Sequence, residues 1–140
     1  MATKLPFEEF KKIYSRVPRL CLDLVVKNEN GVLLTLRDIP PAKGLWHIPG
    51  GTMLFDENID EAIQRIAGEE LGTSVRVKKL LGYIDWYKTK NANGHAVSME
   101  FLVEPLGEIT VDYQASQFKF FKKIPPKTIK EHVSFLLSLD

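Results

Sequence analysis

Apolar residues return at three- and four-residue intervals through Ile59, Ile63 and Ile66, the period of a helix that turns one face to a core. Asn58 stands where such a helix is capped, and Glu61 completes a capping box with it. Asp60 and Glu61 suit the positive end of the helix dipole, and Gly72 suits a left-handed residue just past the helix end. Elsewhere the pattern alternates. Leu20–Val26 reads as a strand with Cys21, Asp23 and Val25 on one side and Leu22, Leu24 and Val26 on the other. A turn at Asn28–Gly31 leads to a second strand, Val32–Arg37, so the two are expected to form a hairpin. Pro40, Pro41 and Gly44 mark a loop, and Trp46–Pro49 is a short extended piece before Gly50-Gly51.

Further along, an apolar-rich strand region spans Val75–Tyr87. Asn91-Ala92-Asn93-Gly94 reads as a hairpin loop returning through Ala96–Val103, and Phe118–Lys122 is a shorter strand. Helices are expected at both ends. One runs Phe7–Ser15 with Phe7, Phe10 and Tyr14 on one side. The other starts at Pro126 or just after it and runs to about Leu139, with Ile129, Val133, Leu136 and Leu137 on its apolar side. The order helix, strands, helix, strands, helix predicts an α/β protein, an α/β/α sandwich around a mixed β-sheet.

Composition narrows the class. A chain of 140 residues with 44% hydrophobic and 26% charged residues has the profile of one globular domain, residues 1–140. Its net charge of +1 gives no reason to expect a nucleic-acid or membrane surface. Neither an apolar run of membrane-spanning length nor a signal-peptide pattern is present, since Glu8 and Glu9 interrupt the apolar residues near the start. The single cysteine, Cys21, flanked by Leu20 and Leu22, reads as a packed thiol in a reducing, cytoplasmic compartment. The apolar side of the first helix fits either a homodimer contact or packing on the chain's own sheet.

The candidate chemistry lies where the central helix breaks its own pattern. At about 100° per residue, Glu70 falls within the same arc of about 60° as Ile59, Ile63 and Ile66. Burying an unpaired carboxylate costs several kcal/mol, on the order of the stability of a weak domain. Glu69 stands beside it in the last helical turn, where the dipole disfavours negative charge. A hard divalent cation would resolve both problems. The plainer alternative pairs Glu69 with Arg65 on the surface and lets Glu70 reach water from a frayed helix end.

The spacing Gly51, Glu57, Arg65, Glu69-Glu70, Gly72 resembles the signature of the Nudix hydrolases, and "GLWHIPGG" resembles the approach to that box, here residues 51–73. Ile66 stands where the family has a glutamate after the arginine, and Thr73 where it has an apolar residue. "LCLDLVVKNENGVLLTLRDIPPAKGLWHIPGG" further resembles the GDP-mannose mannosyl hydrolase branch, which shares an apolar residue at the position of Ile66. The resemblance implies a Nudix-type fold and a Mg2+ cofactor, with Mn2+ as an alternative. It implies a nucleoside diphosphate sugar as substrate, of the GDP-mannose or GDP-glucose kind, attacked by water at the sugar carbon.

Residue by residue, the resemblance implies Gly50 through its carbonyl, Glu70, Glu69 and Gln114 as metal-site residues. Arg37, Arg65 and Glu69 become the catalytic candidates, with Arg65 paired to Glu57 to brace the loop against the helix. Arg37, whose fork suits phosphate oxygens, and Asp23 become substrate contacts. Taken alone, Arg37 is a solvated strand-end arginine and Asp23 a solvent-facing residue beside a small pocket. The branch carries a histidine base after the glutamine; Ala115 occupies that place, and a shifted alignment offers Glu108 or Asp112 instead. His47, His95 and His132 read as structural or solvated. Two other outcomes stay open: a conventional Nudix pyrophosphohydrolase, and a catalytically degenerate module that binds nucleotide sugars.

Overall fold

The computed structural model of the chain describes residues 2–110 and 115–139. In chain order its elements are α1 Phe7–Tyr14, β1 Arg19–Val25, β2 Lys27–Asn28, β3 Gly31–Arg37, β4 Trp46–His47, β5 Gly50–Thr52, α2 Ile59–Leu71, β6 Val75–Asp85, β7 Ala96–Pro105, β8 Ala115–Phe121 and α3 Lys130–Leu137. They form a mixed β-sheet arrangement flanked by helices. One sheet runs β5-β1-β7-β6, with β1 parallel to β7 and its other pairs antiparallel. In the second, β3 pairs antiparallel with β2, β4 and β8.

The sequence pattern pairs β1 with β3 as a hairpin, and the structure corrects this. Both edges of β1 are already taken, by β5 and by β7, so the chain changes sheets after Val25 and the hairpin closes between β2 and β3. Six of the seven β1 residues are buried, which a strand covered on both faces requires and simple alternation did not reveal.

Side-chain alternation on β1 sends Leu22 and Leu24 to one face, where they pack with Ala62, Ile63, Ile66, Ala67 and Leu71 of α2. Fully burying one such leucine or isoleucine contributes about 1.5–3 kcal/mol. The other face carries Cys21 into a cluster with Ile84, Trp86, Ala96 and Ile129. The start of α2 follows the sequence closely. Asn58 accepts from the Glu61 amide while the Glu61 carboxylate accepts from the Asn58 amide, at 2.8 and 2.9 Å. At the other end Gly72 has φ 69°, in the left-handed region.

Ile59, expected on the apolar arc, is 39% exposed. The last helix begins at Lys130, after Trp46 and Thr128 bridge β4 to the 125–129 segment, not at Pro126. Its inward side is Ile129, His132 and Leu136, while Leu137 is 69% exposed. A histidine thus occupies a core position that hydropathy would assign to a leucine. Among the described residues no helix is long and apolar enough to cross a membrane.

Candidate active site

The glycine-rich strand β5 is held from four directions. Its partner β1 places Asp23 opposite Gly50 and Leu22 opposite Gly51. A Cβ on Gly50 would lie 2.0 Å from Asp23 Oδ1 and 2.7 Å from the Leu22 carbonyl, so no larger residue fits. Behind Gly51 stands Ile66, whose side chain would meet a Cβ there at 3.3 Å. Ile66 is fully buried, as its place on the helix face predicts. Thr52 completes the set: its hydroxyl accepts from Arg19 Nη1 at 2.7 Å and its carbonyl from Arg65 Nη2 at 2.8 Å.

Arg65 is the hub on the helix side. Nε donates to Glu57 at 2.6 Å, Nη2 also reaches Glu57 at 3.0 Å, and Nη1 reaches Glu69 at 3.1 Å. The Glu57 side chain is largely shielded from solvent and accepts the Leu54 amide as well. The Arg65 bond holds the Glu57 carboxyl below its usual range. Burial works to lower the Arg65 pKa, but the two glutamates outweigh it and the guanidinium is held even more firmly charged than usual. The expected brace between loop and helix is therefore present, and it extends to Glu69. Lys4 also pairs with Glu69, at 3.1 Å, so this carboxylate faces two cations on the outer side of the helix.

Glu70 is half-buried, and its charge is felt by Arg37. Burial lowers the Arg37 pKa, the charge of Glu70 opposes that shift and the charge of Arg19 adds to it. Arg37 donates Nη2 to the Pro40 carbonyl at 3.1 Å and Nε to that of Pro41, which ties the strand end to the Pro40-Pro41 loop. Gln114 and Asp112 lie outside the described residues. Glu108 is exposed on the rim of a cleft of about 630 Å3 lined in part by Val26, Lys78, Phe118 and Phe120.

Beneath Gly50 is a polar cluster that the sequence did not disclose. Asp23 is 6% exposed and does not face solvent. It stands in register with Glu100 on the parallel strand β7, and Glu100 is fully buried. Its pKa is pushed up to about 12, first by burial and then by the charge of Asp23. Burial acts against the Asp23 anion, yet the contacts with Glu100 and His132 prevail and keep its pKa low. The pair thus holds one proton, on Glu100. His132 Nδ1 accepts the Ile48 amide at 3.0 Å, which assigns the ring proton to Nε2, 3.5 Å from Asp23 Oδ2.

His47 is the neighbouring ring. Its Nδ1 donates to the Ile48 carbonyl at 2.9 Å, leaving Nε2 to accept from Thr35 at 3.1 Å. Burial, reinforced by His132, lowers its pKa to about 4, so it stays neutral. His95, by contrast, bonds Asp85 on the surface at 2.8 Å. Cys21 is a packed thiol whose pKa is raised to about 11 by burial, the inert state expected of it. The signal for Glu100 was weak: a lone glutamate in an otherwise apolar strand pattern, whose register with Asp23 required the parallel β1–β7 pairing.

The family model for the NUDIX domain matches residues 17–135, most of the chain. This chain belongs to the Nudix family. As a Nudix hydrolase it falls in a family that acts on nucleoside diphosphate derivatives, generally with divalent metals such as Mg2+ or Mn2+. It is 37% identical over 130 residues to the low-salt glycan biosynthesis protein Agl8 of Haloferax volcanii, covering 89% of this Nudix chain and 82% of that protein. It is 31% identical over 105 residues to an ADP-ribose pyrophosphatase of Methanocaldococcus jannaschii, covering 74% of this chain and 62% of that one. Among solved structures, a MutT NUDIX hydrolase from Burkholderia pseudomallei superposes with a TM-score of 0.80 at 24% identity, covering 89% of this chain and all of that one, a likeness of fold.

Proposed function

We propose that this Nudix hydrolase acts on a nucleoside diphosphate sugar, of the GDP-mannose or GDP-glucose kind, in the cytoplasm. Water attacks the anomeric carbon, the carbon–oxygen bond to the diphosphate breaks, and nucleoside diphosphate and free sugar leave. The observation that carries this reading is Ile66. A fully buried side chain stands where the box has a carboxylate, so α2 offers no base at that position near phosphorus. The retained groups agree with this: Arg37 would supply positive charge and orientation to a departing diphosphate, and Glu70, whose charge Arg37 feels, would hold the metal that does the same. The name of the Haloferax relative, a glycan biosynthesis protein, agrees with a sugar-bearing substrate.

The donor set fits a metal of the Mg2+ type that shares its shell with substrate. The described residues contain no cluster of three or more metal-binding side chains, and Glu69 is engaged by Arg65 and Lys4. Mg2+ is commonly bound through one or two carboxylates plus substrate phosphates, and Glu70 with the Gly50 carbonyl would supply that protein share, with Gln114 as a further candidate. The metal would supply charge neutralisation of the diphosphate. Within the chain, Arg65 and Glu57 fix the loop, Arg37 binds the diphosphate, and Asp23 holds Gly50 in place from below instead of meeting substrate.

Hydrolysis in 18O-labelled water tests the bond broken. Label is expected in the released sugar, with the nucleoside diphosphate unlabelled. Label in a phosphate product would replace this reading with a pyrophosphohydrolase, the activity for which the Methanocaldococcus relative is named. Tight binding of the nucleotide sugar without turnover would favour the degenerate module, a reading that Ala115 in the place of a histidine base supports.

A further inference from the structure

Arg19 poses a problem that the braces of β5 do not solve. It is 8% exposed, and each of its contacts is neutral: Cys21 Sγ at 2.8 Å and Thr52 Oγ1 at 2.7 Å from Nη1, the Asn93 carbonyl at 3.2 Å from Nη2, and the Phe10 ring. Among the described residues no carboxylate pairs with it, and its buried Nε has no hydrogen-bond partner. A buried cation without an anion is costly, and holding Thr52 in place needs no charge. A neutral donor would serve the Thr52 hydroxyl equally well.

The geometry shows what the charge can face. Arg37 grips the Pro40 and Pro41 carbonyls, and the next residue of that loop, Ala42, packs with Leu45 onto the cluster of Cys21 and Ala96. Cys21 accepts from Arg19 and Ala96 is the strand partner of Arg19, so the two arginines border one apolar patch. Their like charges are felt across it. Arg19 bonds Thr52 of the Gly50–Thr52 strand, and Arg37 feels the charges of both Glu70 and Arg19, so two guanidiniums serve one neighbourhood of the site.

We propose that Arg19 is a second anion-binding residue of the site, which with Arg37 brackets the diphosphate of the substrate. Nε and the Nη2 edge, whose bond to Asn93 is the longest of the three, meet the phosphate oxygens when the Asn93 carbonyl yields. The assignment rests on the proposed nucleoside diphosphate substrate. It goes beyond that proposal in naming a residue outside the signature, at the start of the first strand.

The test uses inorganic pyrophosphate and GDP as probes, without metal and without turnover, measured by calorimetry at several salt concentrations. Wild-type protein is expected to bind both. Arg19→Gln should bind pyrophosphate about 10- to 100-fold more weakly, the range for a lost charge-assisted hydrogen bond, with a shallower salt dependence. Arg19→Lys should recover part of the loss. If the Gln variant does not fold, the Lys variant in parallel with pyrophosphate-dependent thermal shifts of the wild type reads the same point. Wild-type binding of GDP with unchanged pyrophosphate affinity in both variants would make Arg19 a structural prop and overturn this inference alone. Failure of the wild type to bind GDP would overturn the substrate reading along with it.

Discussion

Replacing Glu100 with glutamine is expected to stabilise the protein, and more so as pH rises. The unfolded chain has an ordinary glutamate with a pKa near 4.3, whereas the folded chain keeps this carboxyl protonated far above neutrality. Between those two values the native state binds one more proton than the unfolded state, so stability falls with pH. The slope is about 1.4 kcal/mol per pH unit, and at pH 7 the accumulated cost is about 4 kcal/mol. Glutamine keeps the shape and one N–H toward Asp23 while removing the titration. Its second N–H goes into the same buried pocket, where the proton shared with Asp23 is the carboxyl's sole hydrogen bond among the described residues, and that offsets about 1–3 kcal/mol. The net gain at pH 7 is about 1–3 kcal/mol. Urea denaturation of both proteins from pH 5.5 to 8.5 measures it. The decisive quantity is the difference between them, which should widen by about 1.4 kcal/mol for each pH unit. A difference that stays flat over that range would show that Glu100 ionises normally in the folded state and refute the shared-proton pair.

Three further outcomes follow from the site. Gly50→Ala should cost about 1–3 kcal/mol or more, since its Cβ meets Asp23 Oδ1 at 2.0 Å and the Leu22 backbone leaves no retreat; a melting temperature equal to the wild type's would contradict the packing. Glu57 has a lowered folded pKa, so its contribution is complete above about pH 4.3 and is lost as pH falls through the folded value. Glu57→Gln should therefore narrow the acid-induced loss of stability, as followed by circular dichroism from pH 6 down to 2.5. Glu70→Gln should weaken Mg2+ binding strongly while leaving the fold intact, because it removes one charge from a set of oxygen donors; unchanged Mg2+ affinity by calorimetry would remove Glu70 from the metal site.

Local patterns carried the central helix. Its capping box, its left-handed Gly72 end and the burial of Ile63 and Ile66 all follow from side chains a few residues apart, so a linear reading finds them. Helical spacing likewise set Arg65 beside Glu69, because a helix fixes i and i+4, while the resemblance to the family supplied Glu57 as the loop partner. Pairing between distant strands has no such local signature. That β1 lies between β5 and β7 decided that Asp23 is buried, that Glu100 faces it, and that the hairpin closes from β2 instead. Hydropathy also gave no sign of the polar residues at core positions: Arg19 before an apolar strand, Glu100 within one and His132 on the last helix are buried only because the tertiary structure encloses them. Sequence determined which backbone segments would form and which carboxylates would cluster at the end of α2. The tertiary structure alone decided which charges lie buried together, because desolvation depends on what covers a residue from across the fold, and neighbours along the chain do not specify that.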